Sequence, residues 1–308
     1  MQSNRRVIVT GATGLVGKAL TQELTRHGYS VVVFTRSPEQ AKRTLPEAAE
    51  YVAWQPGGGG DWAKHIDGAH AIVNLAGANI FGKRWSESYK QEIMDSRVQG
   101  TRGLVDAIRR AQTKPQVLVN GSAVGYYGMT DSRKLDESAP AGDDFLAQVV
   151  QAWEREASKA EEYGVRTVMI RTGIVMDKKE GALPLMSLPF KMFVGGPVLP
   201  GTQYFSWVHV EDLTGMILMA VENSQAKGPI NGSAPEPQTN KEFSKALGKV
   251  LGRPSFMPVP GFALKLALGG IADIITGGQR VIPAKAQSLG YIFKFPTSEA
   301  ALKDIFKG

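Results

Sequence analysis

Apolar positions in the first part of the chain alternate between strand-like runs and helix-like spacing. Val7 to Thr10 forms a short run with strand character. Directly after it, Leu15, Ala19 and Leu24 recur at helical spacing and predict a helix. Tyr29 to Thr35 is then nearly continuous in β-branched and aromatic residues, which is typical of a parallel strand buried on both faces. The chain therefore opens with a predicted β-α-β unit.

The same alternation continues to about residue 172. Further strands are predicted at residues 50–54, 69–77, 116–120 and 166–171, and helices at residues 85–111 and 143–163. Strands that alternate with helices indicate an α/β fold built on a doubly wound parallel sheet. Right-handed crossovers place the loops after the strands along one edge, which is where such sheets bind ligands. Residues 56–60, almost all glycine, predict a flexible loop after the third strand.

Beyond Thr172 the alternation breaks down. Leu183 to Gln203 is rich in Gly and Pro and predicts a loop-rich cap over the site. The remaining predicted elements are helices at residues 213–221, 240–251 (with Asn240 as the N-cap), 262–275 and 298–306, and a short strand at residues 228–231. The segment 262–275 contains Lys265 and Asp273 and is too short to span a bilayer, so we expect no membrane span.

Three glycines spaced three apart join the first strand to the first helix. Gly11 permits a tight turn, Gly14 lets a pyrophosphate approach the backbone, and Gly17 lets the helix pack closely on the strand. Backbone amides at the helix N-terminus favour bound phosphate, which adds Thr13, Leu15 and Val16 to the predicted site. An ordinary β-α turn is the alternative, and the strand–helix alternation that follows favours nucleotide binding.

A P-loop would also combine glycines with a lysine, here Gly17-Lys18. That motif requires a glycine five residues before Gly17, where Ala12 stands, and Ser or Thr after Lys18, where Ala19 stands. The turn therefore predicts a Rossmann-type dinucleotide site. We expect a Rossmann domain at residues 1–175, to which 205–233 returns, and a smaller substrate or cap region at 176–204 and 234–308.

Composition narrows the class of protein further. The chain has 308 residues, of which 43% are hydrophobic and 21% charged, as in ordinary globular proteins. It has no cysteine, which excludes disulfide and thiolate chemistry and fits a reducing compartment. The formal charge of +7 comes from scattered cations, which suits a phosphorylated cofactor better than nucleic acid. No secretory signal precedes Val7, so we expect a cytoplasmic protein, or an organelle stromal one if a transit peptide has been removed.

The residue after the second strand bears on cofactor choice. In this fold an acidic residue there binds the ribose 2′-hydroxyl of NAD, whereas this chain has Thr35-Arg36-Ser37. A planar guanidinium suits the 2′-phosphate of NADP, so NADP(H) is favoured over NAD; a solvated surface arginine is the alternative. After the fourth strand, Asn74-Leu75-Ala76-Gly77 offers small side chains against which a nucleotide can lie.

These and several further motifs together resemble the extended short-chain dehydrogenase/reductase superfamily, and within it an atypical epimerase-like branch, some members of which are named cell-division inhibitors. These motifs are the glycine turn, Asn74-Leu75-Ala76-Gly77, Ser96-Arg97-x-x-Gly100-Thr101, Ser122-Ala123-Val124-Gly125-Tyr126-Tyr127, Trp153-Glu154, Arg171-Thr172-Gly173, Trp207-Val208-His209-Val210-Glu211-Asp212, Asn231-Gly232-Ser233-Ala234-Pro235 and Gly278-Gln279-Arg280-Val281-Ile282-Pro283. The resemblance covers almost the whole chain.

The superfamily resemblance implies a catalytic Ser, a Tyr-x-x-x-Lys pair and often an Asn. Ser122 stands where the family's Ser belongs. With the spacing anchored on Glu154, the Tyr and Lys positions hold Leu146 and Val150; in a shifted register they hold Val149 and Trp153. The pair is absent in either register. Arg97 replaces the Asn.

Other groups in this chain are candidates for proton transfer or for binding an anion. Tyr126, Tyr127 and His209 are candidate acid–base groups, with packing or hydrogen-bonded structural roles as the alternatives. Arg97 lies on a helix expected to pass the cofactor and would bind pyrophosphate or a substrate anion, or else pair with Glu92. Both Glu92 and Arg97 are therefore candidate cofactor-binding residues. Trp153 is expected in the core, and we expect no metal site.

Two functions are consistent with these residues. The first is an NADP(H)-dependent oxidoreductase or epimerase-like enzyme acting on an unknown small molecule. The second is a cofactor-bound regulator or scaffold without turnover, possible because the Tyr–Lys pair is absent.

Overall fold

A seven-stranded parallel sheet forms the centre of the protein. The structure is a computed structural model that describes residues 5–57, 60–130, 132–268, 270 and 272–307. The strands of the sheet are β1 (Arg6–Thr10), β2 (Ser30–Thr35), β3 (Glu50–Ala53), β4 (Ala71–Asn74), β5 (Val117–Ala123), β7 (Arg166–Thr172) and β11 (Gly228–Gly232). Their order is β11-β7-β5-β4-β1-β2-β3, and every pair in it is parallel. The predicted doubly wound α/β fold is confirmed.

The shorter strands lie outside this sheet: β6 (Lys134–Leu135), β8 (Ile174–Met176), β9 (Tyr204–Phe205), β10 (Trp207–His209), β12 (Gln238–Thr239) and β13 (Arg280–Val281). The α-helices are α1 (Leu15–Arg26), α2 (Pro38–Thr44), α3 (Glu87–Arg110), α4 (Phe145–Ser158), α5 (Ala182–Lys191), α6 (Val210–Glu222), α7 (Asn240–Leu251), α8 (Gly261–Leu268), α9 (Ala272–Thr276), α10 (Ala284–Ser288) and α11 (Ser298–Lys307). Short 3₁₀ turns occupy Asp61–Ile66, Val124–Tyr127 and Lys159–Tyr163.

Alternate residues of the central strands pack on opposite faces of the sheet. On one face, Val7 and Val9 of β1 pack with Leu20 of α1 and Leu213 of α6. On the other face, Ile8 and Ile72 pack with helix α3 and with Ala157 of α4. Because the strands are buried on both faces, their sequences are continuous apolar runs.

The segment from Leu183 to Gln203, predicted to be a loop-rich cap, contains a helix in its first half. Helix α5 occupies Ala182–Lys191 even though it includes Pro189. Leu183, Ser187 and Phe190 are buried at helical spacing, and Leu183 and Phe190 pack in a second core with Phe243 of α7. Apolar burial therefore outweighs the helix-breaking tendency of proline.

Several helix boundaries also differ from expectation: α6 begins at Val210 rather than Leu213, and α4 ends at Ser158 and continues only as a 3₁₀ turn to Tyr163. Thr239, not Asn240, caps α7, in a capping box with Glu242; Asn240 instead accepts a hydrogen bond from the Val198 amide at 2.8 Å. The single helix expected over residues 262–275 is two helices, α8 and α9, with Gly270 between them, because glycine is a poor helix former.

Three further expectations concern the glycine loop, the division into domains and membrane-spanning helices. Gly58 and Gly59 of the predicted glycine loop lie outside the described residues. The division into residues 1–175 with 205–233, and 176–204 with 234–308, stays a prediction. In the part of the chain that the structure describes, no helix is long and apolar enough to cross a membrane.

Candidate functional site

The turn between β1 and α1 has two positions, Gly11 and Gly17, at which only glycine fits. Gly11 has φ +68°, and a Cβ there would lie 2.8 Å from the carbonyl carbon of Leu75. A Cβ at Gly17 would overlap the Gly11 carbonyl oxygen and come within 2.5 Å of Ala12 Cα. The roles predicted for these two glycines, a tight turn and close helix–strand packing, match this geometry.

Gly14 leaves the helix N-terminus open. It is the N-cap of α1, in an extended conformation and without a side-chain cap. The first helical amide bond runs from Lys18 to the Gly14 carbonyl at 2.9 Å, so the amides of Leu15, Val16 and Gly17 precede it. A Cβ at Gly14 would meet only the Gly11 carbonyl oxygen, at 3.4 Å. Free amides, the helix dipole and an unobstructed approach together fit a pyrophosphate.

The end of β2 presents a cation beside this turn. Arg36 and Ser37 are exposed, and the Ser37 amide donates to Thr35 Oγ1 at 3.2 Å. Among the described residues no carboxylate pairs with Arg36. Its guanidinium is therefore available to a phosphate.

A buried row of polar side chains ties the loop after β4 to β1. Thr10 Oγ1 donates to Asn74 Oδ1 at 2.6 Å, and Asn74 Nδ2 donates to Asn120 Oδ1 at 2.7 Å. The amides of Leu75 and Ala76 each donate to Thr10 Oγ1 at 3.2 Å. The Asn74 side chain thus fixes this loop over Gly11, and a nucleotide would meet the loop's backbone rather than that amide.

Ser122 is hydrogen-bonded to a buried ion pair. Its Oγ donates to Glu154 Oε1 at 2.5 Å. Arg171 donates from Nε to Oε1 and from Nη2 to Oε2 of Glu154, each at 2.8 Å. All three residues are buried. Because the serine hydroxyl donates to a carboxylate, the Ser122 oxygen keeps its lone pairs for a donor on a ligand.

The two tyrosines after Ser122 pack around Arg171. Tyr127 donates to Asn231 Oδ1 at 2.7 Å and accepts from Arg171 Nη1 at 3.0 Å. Burial raises the pKa of the Tyr127 hydroxyl to about 12, and Arg171 offsets only part of that rise. This shift opposes proton transfer near neutral pH. The Tyr126 ring lies 3.4 Å from Arg171 Cζ, and its hydroxyl has no hydrogen-bond partner among the described residues.

The two relay positions on α4 are occupied by packing side chains. Val150 is buried, and Leu146 is half-buried beside Gly125. In the shifted register, Val149 is buried and the Trp153 indole donates to Thr101 Oγ1 at 2.9 Å. None of these four side chains can relay a proton as the Tyr–Lys pair does.

The contacts of His209 are those of a helix cap. It is the buried N-cap of α6, and its Nδ1 accepts from the Glu211 amide at 3.2 Å. Nε2 lies 3.4 Å from Asp304 Oδ2, and the ring centroid lies 4.0 Å from that of Phe295. Burial lowers the pKa of the imidazole, against the neighbouring carboxylates. None of the contacts described for His209 involves Ser122, so its catalytic role stays a prediction without geometric support.

Arg97 does not form the pair with Glu92 that the sequence left open. Glu92 is exposed and lies 3.5 Å from Lys83 Nζ. Arg97 instead donates from Nη1 to the carbonyls of Ala78, at 3.2 Å, and Ile93, at 3.0 Å. The cofactor role predicted for Glu92 gains no support from its surface position.

Sequence reasoning missed the partners that organise the site. Glu154, Arg171 and Thr101 entered only as parts of motifs, and Thr10 and Asn120 only as the ends of predicted strands. A signal was present, since each is a polar residue at or next to the end of an apolar strand or on an apolar helix face.

A cavity at the opposite edge of the sheet and the placement of possible metal ligands are the remaining features that bear on candidate sites. A cavity of about 370 Å³ is lined by Arg5, His70, Gln116, Arg166, Val221, Glu222 and Ser224. These residues cluster at the amino ends of the strands, opposite the glycine turn. Within the described residues, no group of three or more His, Cys, Asp and Glu side chains is placed to hold a metal ion.

Two family models match the chain. The first, described as "NAD dependent epimerase/dehydratase family", matches residues 7–231 and so includes the glycine turn, Ser122 and Arg171. The second, described as "Domain of unknown function (DUF1731)", matches residues 259–305.

Proteins similar over nearly their whole length carry epimerase-family names. The chain is 42% identical to the Arabidopsis thaliana "Epimerase family protein SDR39U1 homolog, chloroplastic", over 99% of this chain and 88% of that protein. It is 41% identical to the Bacillus subtilis "Epimerase family protein YfhF", over 97% of each. The crystal structure of human epimerase family protein SDR39U1 (isoform 2) with NADPH superposes with a TM-score of 0.88 at 35% identity, covering 98% of this chain and 99% of that one.

Proposed function

This chain belongs to the NAD dependent epimerase/dehydratase family, and we propose that it binds NADP(H) at the glycine turn and performs oxidoreductase or epimerase-type chemistry beside Ser122. The observation that carries the proposal is the open N-terminus of α1 at the same sheet edge as Ser122. The NADPH in the similar human structure supports the choice of cofactor.

Each part of the cofactor has a matching group in the proposed site. The amides after Gly14 hold the pyrophosphate, with Thr13, Leu15 and Val16 around it. Arg36, with Thr35 and Ser37, binds the 2′-phosphate. The loop Asn74–Gly77 and the end of β5 lie on the other side of β1 from β2 and would line the remainder of the cofactor.

When bound, the cofactor would supply a hydride from the nicotinamide ring as NADPH or accept one there as NADP⁺. Ser122 contributes an oxygen whose own proton is held by Glu154. That oxygen would accept a hydrogen bond from a substrate hydroxyl and so orient the carbon that loses hydride. The hydroxyl proton leaves at the same time, and Tyr126 is the candidate to pass it on to solvent. In the reductive direction the same serine rotates its hydroxyl to the developing alkoxide.

The first test of cofactor binding is Arg36→Asp. We expect it to weaken NADPH binding by about 2 kcal/mol, because an exposed charge-assisted contact with the 2′-phosphate becomes a repulsion. NADH binding should change far less. Calorimetric titration of both cofactors measures this, with Arg43→Asp, an exposed arginine on α2, as the matched control. Equal losses for NADPH and NADH would show that Arg36 does not contact the 2′-phosphate.

Turnover is tested by Ser122→Ala. The NADPH-loaded protein is first given a panel of carbonyl compounds, and NADPH absorbance is followed over time. With a substrate found, we expect Ser122→Ala to lower the rate roughly 10²–10³-fold at nearly unchanged cofactor affinity. Leu146→Ala, at the position where the superfamily has its catalytic tyrosine, should leave the turnover rate unchanged and affect only packing. An unaffected rate in Ser122→Ala would remove Ser122 from the chemistry.

The second candidate function is an NADP(H)-bound regulator or scaffold without turnover. One observation favours it. The Ser122 hydroxyl already donates its hydrogen bond to Glu154, and no Tyr–Lys pair is present to transfer a proton in its place. Tight NADPH binding with no consumption across the panel supports this second function over the first.

A further inference from the structure

Helix α5 is apolar on two opposite faces. On one face, Leu183 and Phe190 are buried in the core that they share with α7. On the other face, Leu185, Leu188 and Met192 recur at helical spacing and are exposed, Leu185 to 74%. A helix that is apolar all round is normally covered on all sides. The outer face of α5 is therefore a surface that still needs a partner.

The exposed apolar face of α5 continues onto two neighbouring elements. The amide of Phe256, itself an exposed residue, donates to the Gly195 carbonyl at 3.0 Å and so joins the segment after α5 to the segment before α8. On α8, Phe262 and Leu266 lie one helical turn apart and are 78% and 83% exposed. The exposed apolar side chains of α5, of residues 256–257 and of α8 are called the apolar surface below. A contiguous set of this kind marks an interaction site, whereas single exposed apolar side chains do not.

The backbone is strained where it presents an aromatic ring beside this surface. Phe193 follows the end of α5 with φ +64°, in the left-handed conformation that glycine usually supplies there. Among the described residues, it is the only one other than glycine with a positive φ. Its exposed ring has Arg253 Cζ 4.3 Å from the centroid. Strain of this kind persists where the residue it positions has a role.

The charges within the apolar surface are positive. Residues 181–210 and 243–272, which supply all of its side chains, contain no Asp or Glu. Lys191 and Arg253 are exposed, and neither has a carboxylate partner in the part of the chain that the structure describes. Lys265 pairs with the carboxylate of α9, at 3.3 Å. The surface therefore combines protruding apolar side chains with unneutralised cations.

This combination of charge and shape distinguishes between possible occupants. A second copy docking through the same surface would bring Lys191 and Arg253 towards cations and not towards carboxylates. A bilayer accepts protruding apolar side chains without a matching pocket, and its anionic headgroups attract cations. Helices α5 and α8 have 10 and 8 residues, too few to cross a membrane, so they would lie in its surface.

We propose that the apolar surface docks the protein on an anionic phospholipid bilayer. Leu185, Phe262 and Leu266 enter the boundary between headgroups and acyl chains, and Lys191 and Arg253 contact lipid phosphates. This docking goes beyond the proposed function, and it depends neither on the cofactor nor on the chemistry at the glycine turn.

The test is co-sedimentation of the full-length protein with vesicles at low salt. Phosphatidylcholine vesicles containing about one-third phosphatidylglycerol are compared with vesicles of phosphatidylcholine alone. We expect binding to the anionic vesicles, weakened at least about tenfold by the double variant Phe262→Ser/Leu266→Ser. Because both side chains are exposed, NADPH affinity and the unfolding temperature of this variant should stay unchanged, which shows that it is folded.

Ile292→Ser is the matched control. Ile292 is 87% exposed, and its segment is tied to α6 by the hydrogen bond from the Tyr291 hydroxyl to the Asp212 carbonyl, away from the apolar surface. Vesicle binding should therefore be unchanged in this variant. An equal loss in Ile292→Ser and in the double variant would overturn the proposal.

The charge requirement is tested by Lys191→Glu/Arg253→Glu, which should bind anionic vesicles no better than neutral ones. The proposal is wrong if the wild type does not bind anionic vesicles, or if neither double variant weakens that binding. Absence of vesicle binding, together with a concentration-dependent dimer that Phe262→Ser/Leu266→Ser dissociates, would assign the surface to a second copy. Absence of both would leave an acidic protein as the occupant.

Discussion

We expect Gly14→Val to abolish NADPH binding while the protein remains folded. Gly14 has φ −80° and ψ 173°, a conformation that valine adopts without strain. A Cβ there meets only one oxygen, at 3.4 Å, so the fold tolerates it. The branched side chain occupies the space through which pyrophosphate reaches the amides of Leu15 and Val16. Calorimetry and thermal unfolding, measured on the same preparation, separate affinity from stability.

Gly17→Ala is the contrasting variant for this experiment. Its single Cβ would overlap the Gly11 carbonyl oxygen, so both stability and binding should fall. Undiminished NADPH affinity in a folded Gly14→Val protein would place the cofactor somewhere other than the glycine turn.

Removing Glu154 has the largest expected effect on stability. Glu154→Ala leaves the Arg171 guanidinium, whose side chain is only 4% exposed, without its carboxylate. Breaking a buried ion pair on one side costs about 3–5 kcal/mol, because the remaining charge stays out of water. Ser122 also loses its acceptor, so its hydroxyl is no longer oriented. Chemical denaturation of the variant and the wild type gives the free energy of unfolding.

Glu156→Ala provides a matched control two residues along the same helix. Glu156 is also buried, but its partners Arg102 and Lys159 are exposed and return to water when it is removed. Its loss should cost about 1 kcal/mol or less from the ion pairs. Equal losses in the two variants would mean that desolvation of Arg171 is not the cause.

The Glu154–Arg171 pair also bears on how chemistry proceeds without the Tyr–Lys pair. It fixes the direction of the Ser122 hydroxyl, and Arg171 in addition holds Tyr127. The raised pKa of Tyr127 makes that residue a poor proton donor to replace the missing tyrosine. Tyr126 keeps an unengaged hydroxyl and stays a candidate.

The sequence by itself determined the parallel sheet and the glycine turn. Both depend on local properties of the chain: strands buried on two faces must be continuously apolar, and a backbone at φ +68° favours glycine at position 11. The family resemblance rests on the same local motifs, and it located Ser122 and the loss of the Tyr–Lys pair without any tertiary information.

Only the tertiary structure decided which polar groups meet. Helix α5 forms because Leu183 and Phe190 find a core in residues distant along the chain. Glu154 and Arg171, 17 residues apart, are joined only when α4 packs on β7. Arg97 has no acidic partner among the described residues because its helix turns it onto Gly77, whereas Glu92 faces Lys83 and solvent. Sequence spacing defines faces and turns, but the pairing of charges depends on distances between elements that only packing sets.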